Sequence, residues 1–175
     1  MENKNIQISL GLLRLALGWI FLWAFFDKLF GLGFSTCRDA KTGVVNYFCN
    51  QAWLYGGSPT FGFLKFATKG PFAEIFRSLA GNPIVDWLFM LGLLGIGVGL
   101  MLGIFMKLST SFAGLMLALM YLAGFILPEH NPLIDEHIVY IIAMAVLCLS
   151  NSGRYLGLGN LWEKTKLVQR YPIFK

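Results

Sequence analysis

Residues 87–106 read WLFMLGLLGIGVGLMLGIFM and residues 108–127 read LSTSFAGLMLALMYLAGFIL, with Lys107 alone between them. Each run supplies the roughly 20 apolar residues that a helix needs to cross the hydrocarbon core of a bilayer. The single basic residue between them leaves room for nothing but a tight helical hairpin. Two further apolar runs flank this pair. Residues 8–30 form one, interrupted by Arg14 and, near its end, by Asp27 and Lys28. The other spans 132–151, with Asp135, Glu136 and His137 in its first turns. The predicted fold is an all-α membrane protein, a four-transmembrane-helix antiparallel bundle. Its spans lie at about 8–30, 84–106, 108–127 and 132–151, with a long outer loop at 31–83 and a cytoplasmic tail at 152–175.

Composition agrees with this reading. The chain has 175 residues, 57% hydrophobic and 13% charged, against roughly 25% charged in an ordinary soluble domain. That excludes a soluble enzyme and a disordered chain. The net charge of +5 does not mark a nucleic-acid binder, because the basic residues stand at the ends of apolar runs rather than on one patch. The first run is not expected to be a cleaved leader: it is too long, contains Arg14, and lacks a small-residue cleavage site after Phe25 and Phe26. Lys4, Lys107, Arg154, Lys164, Lys166, Arg170 and Lys175 fall on one side, with Arg14 close to that surface. Basic residues in short connections mark the cytoplasmic face, so both termini are expected inside the cell and the protein in the plasma membrane.

The loop carries Gly56, Gly57, Ser58 and Pro59, then two phenylalanine-rich stretches at 61–66 and 72–79 mixed with Lys and Arg. Such segments suit short amphipathic helices lying in the outer interface. In the tail, Leu161, Trp162, Leu167 and Val168 alternate with lysines, a pattern for a short helix on an anionic inner leaflet. Asn82-Pro83-Ile84-Val85-Asp86 and Asn131-Pro132-Leu133-Ile134-Asp135 share one pattern. Asn can cap a helix, Pro fits its first position, and Asp complements the positive end of the dipole. The repeat reads either as two ordinary helix starts or as a duplicated two-span hairpin. Gly95, Gly99 and Gly103, and Gly114 with Ala118, supply small residues for close helix packing in lipid.

Charges inside a membrane call for a partner or a use. Arg14, Gly18, Phe21, Phe25 and Lys28 share one face of the first span, Arg14 and Lys28 about 21 Å apart. They either snorkel to the headgroups or line a cavity that holds an anionic or quinone-like group. At the opposite level the topology gathers Asp27, Lys28, Asp86, Glu129, His130, Asp135, Glu136 and His137. No spacing there matches a strong metal signature, so no metal is assigned. A proton-handling cluster around His137 and Asp135 suits histidine chemistry near neutral pH, and plain solvation of helix ends is the alternative. Cys148 lies in an apolar run as a packing residue. Cys37 and Cys49, both in the outer loop, are expected as an oxidised pair, serving as a staple or as a redox centre.

The run Leu13-Arg14-Leu15-Ala16-Leu17-Gly18-Trp19-Ile20-Phe21, followed by Lys28-Leu29, resembles the opening of the DoxX/DoxD family of small membrane proteins. Residues 92–103, Asn131-Pro132 with Asp135-Glu136-His137, and residues 153–158 resemble its later blocks, and the segment around 57–86 is closer to DoxD. The resemblance implies a subunit of thiosulfate:quinone oxidoreductase, in which two thiosulfates become tetrathionate outside the membrane and a membrane quinone is reduced. It implies a small second subunit, with quinone as a substrate, and the chain carries no haem, flavin or Fe–S motif. The residues themselves, rather than the family pattern, suggest the site: His137, Asp135, Cys37 and Cys49 are expected in catalytic roles and Arg14, Lys28 and Asp86 in binding the quinone. A non-catalytic, chaperone-like assembly protein, with or without self-association, is the alternative of a different class.

Overall fold

The computed structural model describes residues 3–39, 41–125 and 133–175, and among them every regular element is helical. Helix α1 is Lys4–Phe30, capped by the Asn3 side chain on the Asn5 N–H. Helix α3 is Pro83–Leu102, with Asn82 accepting from the Ile84 N–H and Pro83 in the first turn. Helix α4 is Met106–Gly124. These three are long and apolar enough to cross a membrane; at 1.5 Å per residue they measure about 40, 30 and 28 Å. The chain is a membrane protein. The outer surface of these helices is apolar, with Leu12, Ile20, Leu88, Leu91, Phe112 and Leu115 all exposed.

The fourth apolar run folds differently from the expected span at 132–151. Helix α5 is Glu136–Leu149, 14 residues, or about 21 Å. Asp135 does not sit inside the helix but caps it, accepting from the Ile138 N–H at 3.2 Å. At the other end Asn151 takes a left-handed conformation, φ 50°, which stops the helix. Asn131, Pro132, Glu129 and His130 lie outside the described residues. The two Asn-Pro-x-x-Asp motifs are not equivalent at their acidic end: Asp86 stands inside α3, whereas Asp135 is itself a cap.

Segment 31–82 is folded. It holds a 3₁₀ turn at Trp53–Tyr55, a π-helical turn at Phe63–Ala67, and a short helix α2 at Ala73–Ser78. The last two fall on the phenylalanine-rich stretches. After α5, a 3₁₀ turn at Ser152–Arg154 leads into α6, Gly159–Trp162, and α7, Lys166–Arg170.

Helix α1 packs on α3, α3 on α4, and α4 on α5. Close approach by glycine sets the first seam. A Cβ on Gly18 would lie 2.9 Å from the Leu100 Cβ, and one on Gly97 would lie 2.9 Å from the Leu22 backbone nitrogen. These pairs, 18 with 100 and 22 with 97, run in opposite directions, so α1 and α3 are antiparallel. Gly99 seats against Ser109, and Gly92 faces Met116, which makes α3 and α4 antiparallel too. Gly95 and Gly114, read from the sequence as packing positions, face open space within the chain. The core runs along these seams through Leu17, Phe21, Met90, Ile96, Leu117 and Leu147.

Candidate functional site

The antiparallel packing gives the molecule two ends. The Arg14 end is closed by backbone. Arg14 is fully buried; its Nη1 donates to the Leu100 carbonyl and, at 3.0 Å, to that of Met101, while Nη2 donates to those of Tyr155 and Leu156, both at 3.0 Å. The carbonyls at the end of α3 have no helical donor of their own, and a cation there also complements the dipole. Arg14 therefore neither snorkels nor faces a ligand cavity. It ties the end of α3 to the chain leaving α5. Gly103 and Gly153 meet backbone to backbone beside it.

At the other end, Asp27, near the end of α1, is buried and accepts from the N–H groups of Phe34, Ser35 and Thr36 and from the Ser35 hydroxyl, at 2.8–3.0 Å. This carboxylate folds the turn after α1, where Gly31 adopts φ 72°. The Cys37 sulfur lies against Gly31, where no side chain fits. Cys37 and Cys49 are joined in a disulfide. Lys28 donates to the Ser35 hydroxyl at 3.2 Å and lies 5.9 Å from the Phe89 ring centroid. Asp86, also buried, accepts through Oδ1 from the hydroxyls of Ser58 (2.9 Å) and Thr60 (2.6 Å) and from the Thr60 N–H (3.2 Å).

His137 and Asp135 come together elsewhere, at the junction of α4 and α5. Nδ1 of His137 lies 2.6 Å from Asp135 Oδ2. The second oxygen of the same carboxylate caps α5, so the cap fixes the carboxylate and the carboxylate fixes the ring. With Nδ1 engaged, Nε2 is the nitrogen left to meet a ligand. The pair lines a cleft of about 450 Å³ whose other walls include Met120, Tyr121, Phe125, Phe63 and Val139. Phe63 belongs to the π-helical turn, a feature that favours functional sites. Phe125 has φ 36°, an uncommon conformation for a bulky residue. Tyr121 donates to the Leu133 carbonyl at 2.9 Å and so joins α4 to the start of the α5 segment.

The seven residues read as one site thus occupy four places. Asp135 and His137 share the cleft, and Cys37 and Cys49 share a disulfide. Lys28 and Asp86 each hold the adjoining segment 31–82, and Arg14 is at the far end. None of the other five lines the cleft. Sequence reasoning missed Tyr121, Met120, Phe125 and Phe63 as cleft walls. The motif Ser58-Pro59-Thr60, two hydroxyls ahead of an apolar run, was the one available sign of a partner for Asp86. No protein-family model, curated protein or solved structure matches this chain.

Proposed function

We propose that the protein is a four-span plasma-membrane oxidoreductase subunit with both termini cytoplasmic. It binds quinone in the cleft between α4 and α5 and reduces it with electrons from an extracytoplasmic sulfur compound of the thiosulfate class. The observation that carries the reading is the Asp135–His137 pair, 2.6 Å apart, opening into a cleft walled by apolar and aromatic side chains. A quinone needs apolar walls for its ring and a proton source at its oxygen as it is reduced. In this reading His137 gives that proton through Nε2, while Asp135 orients the ring through Nδ1. Ligand clefts of this kind, mostly apolar with a few convergent polar groups, have volumes of about 300–1,000 Å³.

The donor side rests on the resemblance of the 13–21 and 131–137 blocks to DoxX/DoxD proteins. Two thiosulfates lose one electron each and join through a new S–S bond as tetrathionate. The quinone takes both electrons and two protons and becomes quinol, with a small second subunit completing the enzyme. In the thiol route one thiosulfate sulfur attacks the Cys37–Cys49 disulfide and expels one cysteine thiolate. A second thiosulfate then displaces the other, releasing tetrathionate, and the two thiols re-form the disulfide as they reduce quinone. In the direct route thiosulfate reacts with quinone and the disulfide is a staple. The burial of Cys37, its sulfur against Gly31, favours the staple, which fits both the direct route and the alternative of a non-catalytic assembly protein.

Quinone content and turnover separate these readings. Protein purified in mild detergent should carry extractable quinone, and His137→Ala should lose it while remaining folded. Wild-type protein with no quinone, even after added quinone, leaves the assembly reading. With the site established, the Cys37→Ser/Cys49→Ser variant loses turnover in the thiol route and retains it in the direct one.

A further inference from the structure

Next to the disulfide, the chain forms an open cup of about 530 Å³ that is separate from the quinone cleft. Its walls are Phe34, Ser35, Arg38, Asp39, Lys41, Thr42 and Gly43. The cup is held from three sides. Cys37–Cys49 closes the base of the hairpin, Arg38 bridges antiparallel to Val45, and the Asp39 N–H donates to the Val44 carbonyl at 2.9 Å. Phe34 stands edge-on to Trp23 of α1, ring centroids 5.0 Å apart, so its wall is anchored to a long helix.

The charges in this cup are unevenly matched. Asp39 turns Oδ1 inward to its own loop, accepting from the Lys41 and Thr42 N–H groups and the Thr42 hydroxyl at 2.7–2.9 Å. Asp27, behind Ser35, is likewise taken up by the turn it folds. Among the described residues, neither Arg38 nor Lys41 forms an ion pair with a carboxylate. A third cation, Lys28, reaches the Ser35 hydroxyl from below. The cup therefore offers a guanidinium fork and an ammonium, with Asp27 engaged by the turn it folds and Asp39 engaged through Oδ1 by its own loop. Guanidinium and ammonium groups on a fixed loop recognise oxyanions through charge-assisted hydrogen bonds.

We propose that this cup is a binding site for a small tetrahedral oxyanion, held by the guanidinium of Arg38 and the ammonium of Lys41. Two sources carry that chemistry: a free sulfur oxyanion, or the phosphate of a lipid headgroup at the membrane surface. Assigning thiosulfate to the cup rests on the donor side of the function proposed above. The cup itself does not. Neither cysteine lines the cup; Arg38 follows Cys37 directly in the disulfide-closed hairpin.

Titration calorimetry on the full chain in phosphate-free maltoside at low salt tests the site. The probes are sulfate, which cannot reduce a disulfide, then thiosulfate, then dihexanoyl phosphatidic acid. Saturable sulfate or thiosulfate binding is expected, weakening with added sodium chloride and falling about tenfold in Arg38→Gln and in Lys41→Gln. Binding of the short-chain phosphatidic acid alone, with the same dependence on both residues, would keep the oxyanion site and identify its source as the headgroup. Quinone content is read on the same samples and should match wild type, so loss of the anion site and failure of the quinone reading are told apart. Absence of saturable binding by all three probes, or binding indifferent to both substitutions, overturns the proposal.

Discussion

The two ends of the molecule handle buried charge in opposite ways. At the Arg14 end a single guanidinium meets four backbone carbonyls, and glycines let the surrounding backbones touch. At the Asp27 end Asp27 folds a local turn, Asp135 caps a helix and Asp86 holds the distant Ser58 and Thr60, while Lys28, Arg38, Lys41 and the His137 ring retain hydrogen-bonding capacity. The first arrangement is closed, because carbonyls at a helix end have no other donor. The second is open, because its carboxylates are satisfied by loop donors and a helix cap while Arg38, Lys41 and the His137 ring line cavities. Charge within a membrane protein is thus not one signal. A charge walled in by backbone, as Arg14 is with only its Nε left without an acceptor among the described residues, holds the fold, and a charge whose spare donors line a cavity marks a place where a ligand can be met.

The comparison is most directly broken at Arg14. Arg14→Ala strands four carbonyls in the interior and should destabilise the protein by on the order of 3 kcal/mol, a fall of roughly 6–12 °C in the detergent unfolding temperature. Arg14→Lys should recover only part of it, since an ammonium lacks the planar fork. Quinone content per folded molecule should not change. An Arg14→Ala protein with wild-type stability would mean that the closed end is held by glycine contact alone.

The α1–α3 seam sharpens the same contrast within one helix. Gly97→Ala drives a Cβ to 2.9 Å from the Leu22 nitrogen and 3.0 Å from its Cα. Backbone cannot yield as a side chain can, so a loss of about 1–3 kcal/mol is expected. Gly95→Ala, two residues away and facing open space, should be neutral or slightly stabilising, because alanine favours the helix. Thermal unfolding of the two variants side by side checks this. Equal effects would show that the seam is not set by close approach.

Much of the fold was legible before the coordinates. Length and apolarity mark α1, α3 and α4, and the shared face of Arg14, Gly18, Phe21 and Phe25 is buried. The partners of Arg14 were not legible, because a backbone carbonyl has no residue signature. The 14-residue α5 was overestimated because the apolar run continues past the points where Asp135 and Asn151 stop the helix. The pairing of Asp135 with His137 was expected by level in the membrane, yet a spacing of two does not share a helix face. They meet because Asp135 stands outside the helix as its cap. Of Lys28, Asp86, Asp135 and His137, expected around one pocket, the last two line the cleft. Asp86 is claimed by Ser58 and Thr60, 28 and 26 residues earlier, a long-range pairing that no periodicity announces.

The smallest effect belongs to the tail, the skirt of the closed end. Trp162 packs on Phe105 with ring centroids 4.5 Å apart and donates to the Phe174 carbonyl at 2.7 Å. Glu163 takes two hydrogen bonds from Arg154, 2.9 and 2.6 Å, and lies 3.6 Å from the Lys175 ammonium. The Arg154 hydrogen bond, opposed in part by desolvation and helped by the Lys175 charge, holds the Glu163 carboxyl below its ordinary value. A depressed carboxyl contributes stability that is complete above its unfolded pKa and is lost as pH falls through the lower folded value. Docking of the tail should therefore be constant at neutral pH and weaken only in acid, below the ordinary glutamate range near 4.3. The pair is partly exposed, so the change should stay under about 1 kcal/mol. The difference in tryptophan emission between wild type and Trp162→Phe reports the tail, and Glu163→Gln should remove the acid transition from that difference signal. A transition that persists in Glu163→Gln would place the acid sensitivity at the other end, among the carboxylates that fold the loops around the cup and the cleft.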